Sequence, residues 1–154
     1  MSSGETVESR MAKIKQLADD YWKQTAEYNF DGVASFYSEG ATVTQHFGPQ
    51  RGVKLPYQAF LKSMKGATLL LDALRFDNVR RHIHPDGFVE EHEGVFTIQG
   101  KEYVLPVCFV VAMDKDCKIV RAEEYGDGAT QAHIVKAIGE KAAQAAAAAR
   151  ASKE

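Results

Sequence analysis

Glu124 and the run Glu90-Glu91-His92-Glu93 are the places where this chain could move a proton to or from a small molecule. A carboxylate works as a general base when its surroundings poise it near working pH, and an imidazole can act as acid or base at neutral pH. Glu124 stands in Lys118 to Tyr125, which reads as a strand. With Val120 and Ala122 opposite Val111 and Phe109, the inward face of that strand carries Ala122, Glu124 and Gly126. An inward carboxylate on a central strand is costly unless paired, so Glu124 is either a salt-bridged structural acid or a working one.

Which residues of the 90–93 run point inward depends on one turn. A two-residue turn at Gln99-Gly100 sets Thr97 opposite Glu102 and His92 opposite Val107, and puts Glu90, His92 and Phe96 on the pocket face. A three-residue turn flips the parity and brings in Glu91 and Glu93. Glutamine-glycine suits the tight turn, which favours the first register. His92 and Glu124 then flank Val107, about 10 Å apart at the backbone.

Other polar groups have plainer readings. His46 falls on the outer face of its strand. His82 and His84 alternate with Val79 and Ile83, so the apolar pair faces the core and the histidines face solvent with Arg80. No spacing supplies four metal ligands, and no cofactor or metal is expected. The glycines mark turns rather than a phosphate cradle, and there is no nucleophile elbow. Cys108 and Cys117 read as reduced thiols.

The elements that must position these groups follow from periodicity. Met11, Ile14, Leu17, Ala18 and Tyr21 recur at spacings of three and four, which predicts an amphipathic helix whose apolar stripe includes Tyr21. Asp31 can cap a short second helix carrying Val33, Phe36 and Tyr37, and Ala41 to Phe47 should be a strand. Leu55-Pro56 opens a third helix with Tyr57, Phe60, Leu61 and Met64 buried, stopped at Gly66. The period then changes to two over 69–84, 88–98, 103–113 and 118–125, which predicts an antiparallel meander. From Thr130 an alanine-rich helix runs to the end. Helices first and a curved antiparallel sheet afterwards is an α+β layout, a cone with its sheet wrapped around the N-terminal helices.

At 154 residues the chain is expected to form one domain, with 1–9 and 148–154 loose. Charged residues make up 26% and hydrophobic ones 45%, and the net charge is −2. That balance gives no reason to expect nucleic acid or an anionic membrane as partner. No apolar run approaches a spanning length, and the N-terminus lacks a secretory core, so the cytoplasm is expected.

The stretch Tyr21 to Val43, with Tyr21, Asp31-Gly32 and Ala41-Thr42-Val43, together with Lys118-Ile119-Val120, resembles the nuclear-transport-factor-2-like superfamily and within it ketosteroid isomerase. SnoaL-type polyketide cyclases and limonene epoxide hydrolases belong to the same superfamily. The resemblance implies the cone fold and a pocket at its open end. It sets Tyr21 where the isomerase keeps its oxyanion-binding tyrosine, Gln45 where it keeps the catalytic base, and Phe109 where it keeps a protonated acid. An amide and a phenyl ring cannot do those jobs, so the ketosteroid mechanism does not transfer whole. Glu124-Tyr125 is similar to the strand on which the limonene-type hydrolases place a catalytic aspartate before an aromatic residue.

These readings combine into an expected enzyme without cofactor, acting on a small apolar polyketide-, terpenoid- or steroid-like molecule by isomerisation, dehydration or cyclisation. Glu124 would be the base and His92 its acid partner. Tyr21 would stabilise charge on oxygen, and Gln45, Val107 and Phe109 would contact substrate. Glu91 and Glu93 would join the site in the other register, which favours epoxide hydrolysis or epoxide-opening cyclisation. A cavity filled by Phe96, Phe109 and Met113 would instead mark a binding or assembly module. The open sheet face and the final helix suggest a homodimer.

Overall fold

The computed structural model describes residues 4–152. Its first helix, α1 (Val7–Ala26), starts where the Thr6 hydroxyl accepts the Ser9 N–H at 3.1 Å, and buries Arg10, Ile14, Ala18, Tyr21 and Thr25 along one stripe. Arg10 is a charge on that stripe, made tolerable by what it touches. Its guanidinium donates to the carbonyls of Pro85 (2.6 Å), Asp114 (2.6 Å) and Lys115 (2.9 Å), pinning the helix to two turns of the sheet. Asn29, not Asp31, caps α2 (Phe30–Ala34), its side chain accepting from Gly32 N–H at 3.1 Å. That helix is one turn shorter than its apolar spacing suggests, and Tyr37 falls instead at the start of β1 (Tyr37–Gln45).

A three-residue edge strand, β2 (Lys54–Pro56), precedes α3 (Tyr57–Thr68), which runs through Gly66 rather than stopping there. Then come β3 (Ala73–His84), β4 (Gly87–Ile98), β5 (Lys101–Met113), β6 (Ile119–Gly126) and α4 (Gly128–Ala151). The Asp127 carboxylate caps α4 by accepting from Ala129 and Thr130 N–H. Part of both segments expected to be loose is therefore helical; residues 1–3 and 153–154 lie outside the described residues.

The six strands order as β2-β1-β6-β5-β4-β3, a curved, unclosed sheet that makes the molecule an α+β cone. All neighbours are antiparallel except β1 and β6. That parallel pair sets Gln45 beside Glu124, closing the first strand onto the last. The Gln99-Gly100 turn has both residues at positive φ (50° and 76°), the geometry of a two-residue hairpin, and pairs Thr97 with Glu102 and His92 with Val107. Ile14, Val33, Phe88, Phe109, Val111, Ile119 and Ala122 fill the space between helices and sheet. Among the described residues no helix is long and apolar enough to cross a membrane.

Candidate functional site

Glu124 comes from the middle of β6, opposite Phe109 of β5 on one side and Gln45 of β1 on the other. Its Oε2 accepts from the Gln45 amide at 2.8 Å, and Oε1 has no hydrogen-bond partner among the described residues. Burial pushes the carboxyl above the ordinary glutamate value of 4.5, while the Gln45 hydrogen bond and the charge of His92 hold it back. The carboxyl lies where two cavities adjoin. The inner, of about 50 Å³, is walled by Tyr21, Trp22, His92, Val107 and Phe109; the outer, of about 180 Å³, by Gln45, Leu71, Gln131 and Ile134. Phe60, Met64, Phe96, Leu105 and Glu124 line both.

Tyr21 reaches the inner cavity from α1, and its hydroxyl lies 2.8 Å from that of Tyr37. Burial raises both phenols above their ordinary value, and the Glu124 charge raises them further, so both stay protonated. Two hydroxyls joined by one hydrogen bond leave one O–H hydrogen to give to something else. Tyr37 is held by face-to-face stacking on Tyr57, with ring centres 4.7 Å apart. Phe109 packs against Tyr21 and Trp22, at 5.9 and 5.2 Å between ring centres.

His92 faces the same cavity from β4 and is enclosed by Trp22 and Phe76. Its Nδ1 lies 2.8 Å from Oε1 of Glu90, which is fully buried. Oε2 of Glu90 accepts from Arg81 Nε at 2.5 Å, and Arg81 Nη1 donates to Asp19 of α1 at 2.5 Å. Although burial disfavours the Arg81 charge, hydrogen bonds to Asp19 and Glu90 hold its pKa above the ordinary value.

No protein-family model matches the chain. No protein of curated function matches it either. Solved structures do. PrhC from Penicillium brasilianum NBRC 6234 superposes with a TM-score of 0.74 at 13% identity, over 88% of this chain and 93% of its own. The BvnE pinacolase from Penicillium brevicompactum gives 0.74 at 9% identity, over 90% and 99%. An NTF2-like protein from Burkholderia xenovorans LB400 gives 0.62 at 12% identity, over 85% and 98%. This chain has the nuclear-transport-factor-2-like fold. Candidate SnoaL-like polyketide cyclases are among the other structures that share it.

Within the nuclear-transport-factor-2-like cone, Tyr21, Gln45, His92, Val107, Phe109 and Glu124 converge on the cavities, and Glu91 and Glu93 do not. Glu91 pairs with Arg80 at 2.9 Å and Glu93 accepts from Asn78 at 2.7 Å, both on the opposite face of the sheet. Period-two alternation beside an inward His92 forces that outcome. The expected β5–β6 register also needs correction. Ala122, not Val120, faces Val111, and Glu124 faces Phe109, so His92 and Glu124 do not flank Val107. A bulge between Ala112 and Met113 and a left-handed Cys117 take up residues that a regular ladder would have paired. Val120 is left exposed, while the fully buried slot goes to the small Ala122.

Three of the residues that shape the site escaped the sequence reading. Tyr37 was hidden because its apolar spacing continues that of α2. Arg81 and Asp19 were passed over as charges, although Arg81 shares the face of Ile83; the bulge at Asn78 (φ 54°) accounts only for Val79, which was expected on that face and is exposed. The hairpin arithmetic across Pro85-Asp86 could have found Arg81, since it sets that residue opposite Glu90.

Proposed function

We propose that this protein is a cofactor-independent enzyme that moves protons on a small, mostly apolar molecule, as an isomerase, dehydratase or cyclase. The observation that carries the reading is Glu124: a carboxyl pushed up by burial, one oxygen held by Gln45 and the other without a partner among the described residues, at the junction of two largely apolar cavities. In this reading Glu124 takes the proton. The Tyr21–Tyr37 pair gives its spare O–H to the substrate oxygen on which charge develops, as an oxyanion donor does. Gln45 orients the base, and His92 exchanges the second proton. Val107 and Phe109 shape the wall against which the substrate body packs. The fold shared with a pinacolase and with candidate polyketide cyclases agrees with this kind of chemistry.

The outer cavity is smaller than the pockets of roughly 300–1,000 Å³ that hold drug-sized ligands. A short terpenoid or polyketide fragment suits it better than a steroid. Epoxide opening by Glu124 with Glu91 or Glu93 loses its support, because those two acids lie across the sheet.

Proton abstraction can be tested without knowing the product. Small cyclic ketones such as cyclohexanone, incubated in D₂O with the protein, should gain deuterium beside the carbonyl faster than in buffer, followed by proton NMR. Glu124→Gln should slow that exchange by about 10²-fold or more. Exchange no faster than buffer, or unchanged in the variant, would overturn the proposal.

A further inference from the structure

The side chains behind His92 form a row that packing alone does not require. Asp19, Arg81, Glu90 and His92 come from α1, β3 and β4 and run from a half-exposed carboxylate to the wall of the inner cavity. Glu90 is fully buried, yet both its oxygens are engaged, one by the Arg81 guanidinium and the other by His92 Nδ1. Arg81 has no lone pair to offer, so it can only donate, and a carboxylate beside it can only accept. A Glu90 carboxylate ion-paired with Arg81 would thus take its second hydrogen bond from Nδ1–H of His92. That leaves Nε2, which has no hydrogen-bond partner among the described residues, as the atom of the ring free to exchange a proton. Trp22 and Phe76 lie against the ring at 4.5 and 4.9 Å between centres and stop it from turning over.

We propose that Glu90, itself held by Arg81 and Asp19, is a positioning residue that fixes the tautomer and orientation of His92 so that Nε2 serves the inner cavity. This rests on the proton-transfer reading above and narrows the substrate. The molecule would carry one oxygen function towards the Tyr21–Tyr37 hydroxyls and a second proton-exchanging group towards His92, joined by an apolar body.

Two-bond proton–nitrogen correlation spectra of protein labelled with ¹⁵N-histidine report the tautomer directly. The chain has five histidines, and His92→Gln assigns the signal in question. The expected result is a protonated Nδ1 in the wild type, with the tautomers mixed in Glu90→Ala; a wild-type ring protonated only on Nε2 overturns the proposal. The ketone exchange supplies the second readout: Glu90→Gln, folded as judged by circular dichroism, should lower turnover at saturating ketone about 10-fold or more with little change in KM. Unchanged turnover in that variant would also overturn it. If the wild type catalyses no exchange at all, the enzyme reading fails by itself, and the tautomer still decides what Glu90 does.

Discussion

Tyr21 and Tyr37 share a single hydrogen bond, and both rings are buried. Replacing either ring by phenylalanine leaves the other hydroxyl buried without its partner, which costs about 1–3 kcal/mol. Removing both hydroxyls leaves nothing unsatisfied. The expectation for a thermodynamic cycle is that Tyr21→Phe and Tyr37→Phe each destabilise the protein, while the double variant is less destabilised than their sum. Urea unfolding of the four proteins checks it, and strict additivity would show that the hydroxyls act independently. The ketone exchange should fall most in Tyr21→Phe, which removes the hydroxyl that lines the inner cavity, and less in Tyr37→Phe, which leaves Tyr21 its own O–H without the hydrogen bond that orients it. Glu124 carries a different signature. Its folded-state pKa lies above that of the unfolded chain, so the native state binds the extra proton and loses stability as pH rises from about 4.5 through the raised value. Glu124→Gln should remove that slope, leaving a variant no less stable than the wild type at neutral pH; a slope that persists in the variant would assign it to another group.

The elements that place these groups depend on a few backbone positions. Gly87 opens β4 at φ 148°, and a Cβ there would meet the Val111 carbonyl oxygen at 1.9 Å. Gly87→Ala should therefore cost about 2 kcal/mol or more, from strain and from the forced separation of β4 and β5, and would move the end of the ladder that sets Glu90 and His92. A loss of less than about 0.5 kcal/mol on urea unfolding would mean that the strands part there freely. The same elements explain what could be read in advance. The β4–β5 hairpin was legible because Gln99-Gly100 fixes its loop length, and loop length fixes parity; Glu90 and His92 inward, Glu91 and Glu93 outward, all follow from it. The β5–β6 register was not, since nothing in Asp114-Lys115-Asp116-Cys117 announces that Cys117 turns left-handed or that a bulge follows. Gly66 misled because a glycine at the exposed side of a helix lowers its propensity without ending it. Asn29 and Asp31 are both good caps, and only the packing of Phe30 and Val33 chooses between them.

For the molecule as a whole, function depends on long-range closure. The parallel pairing of β1 with β6 joins residues about eighty positions apart, and it alone brings Gln45 to Glu124. No local pattern encodes that pairing, so the site was foreseen in composition but not in geometry. The cone holds a carboxyl at Glu124 and an imidazole at His92 on one cavity with aromatic walls, which the Tyr21 side chain also lines. Everything proposed about chemistry depends on the carboxyl at the centre being poised by burial and restrained by Gln45. Carbon-13 NMR titration of the Glu124 carboxyl measures that most directly. The expected midpoint lies clearly above 4.5 in the wild type and rises further in Gln45→Leu, where the stabilising donor is gone. A wild-type midpoint at or below 4.5 would contradict it and leave Glu124 an ordinary solvated acid at the edge of a binding cavity.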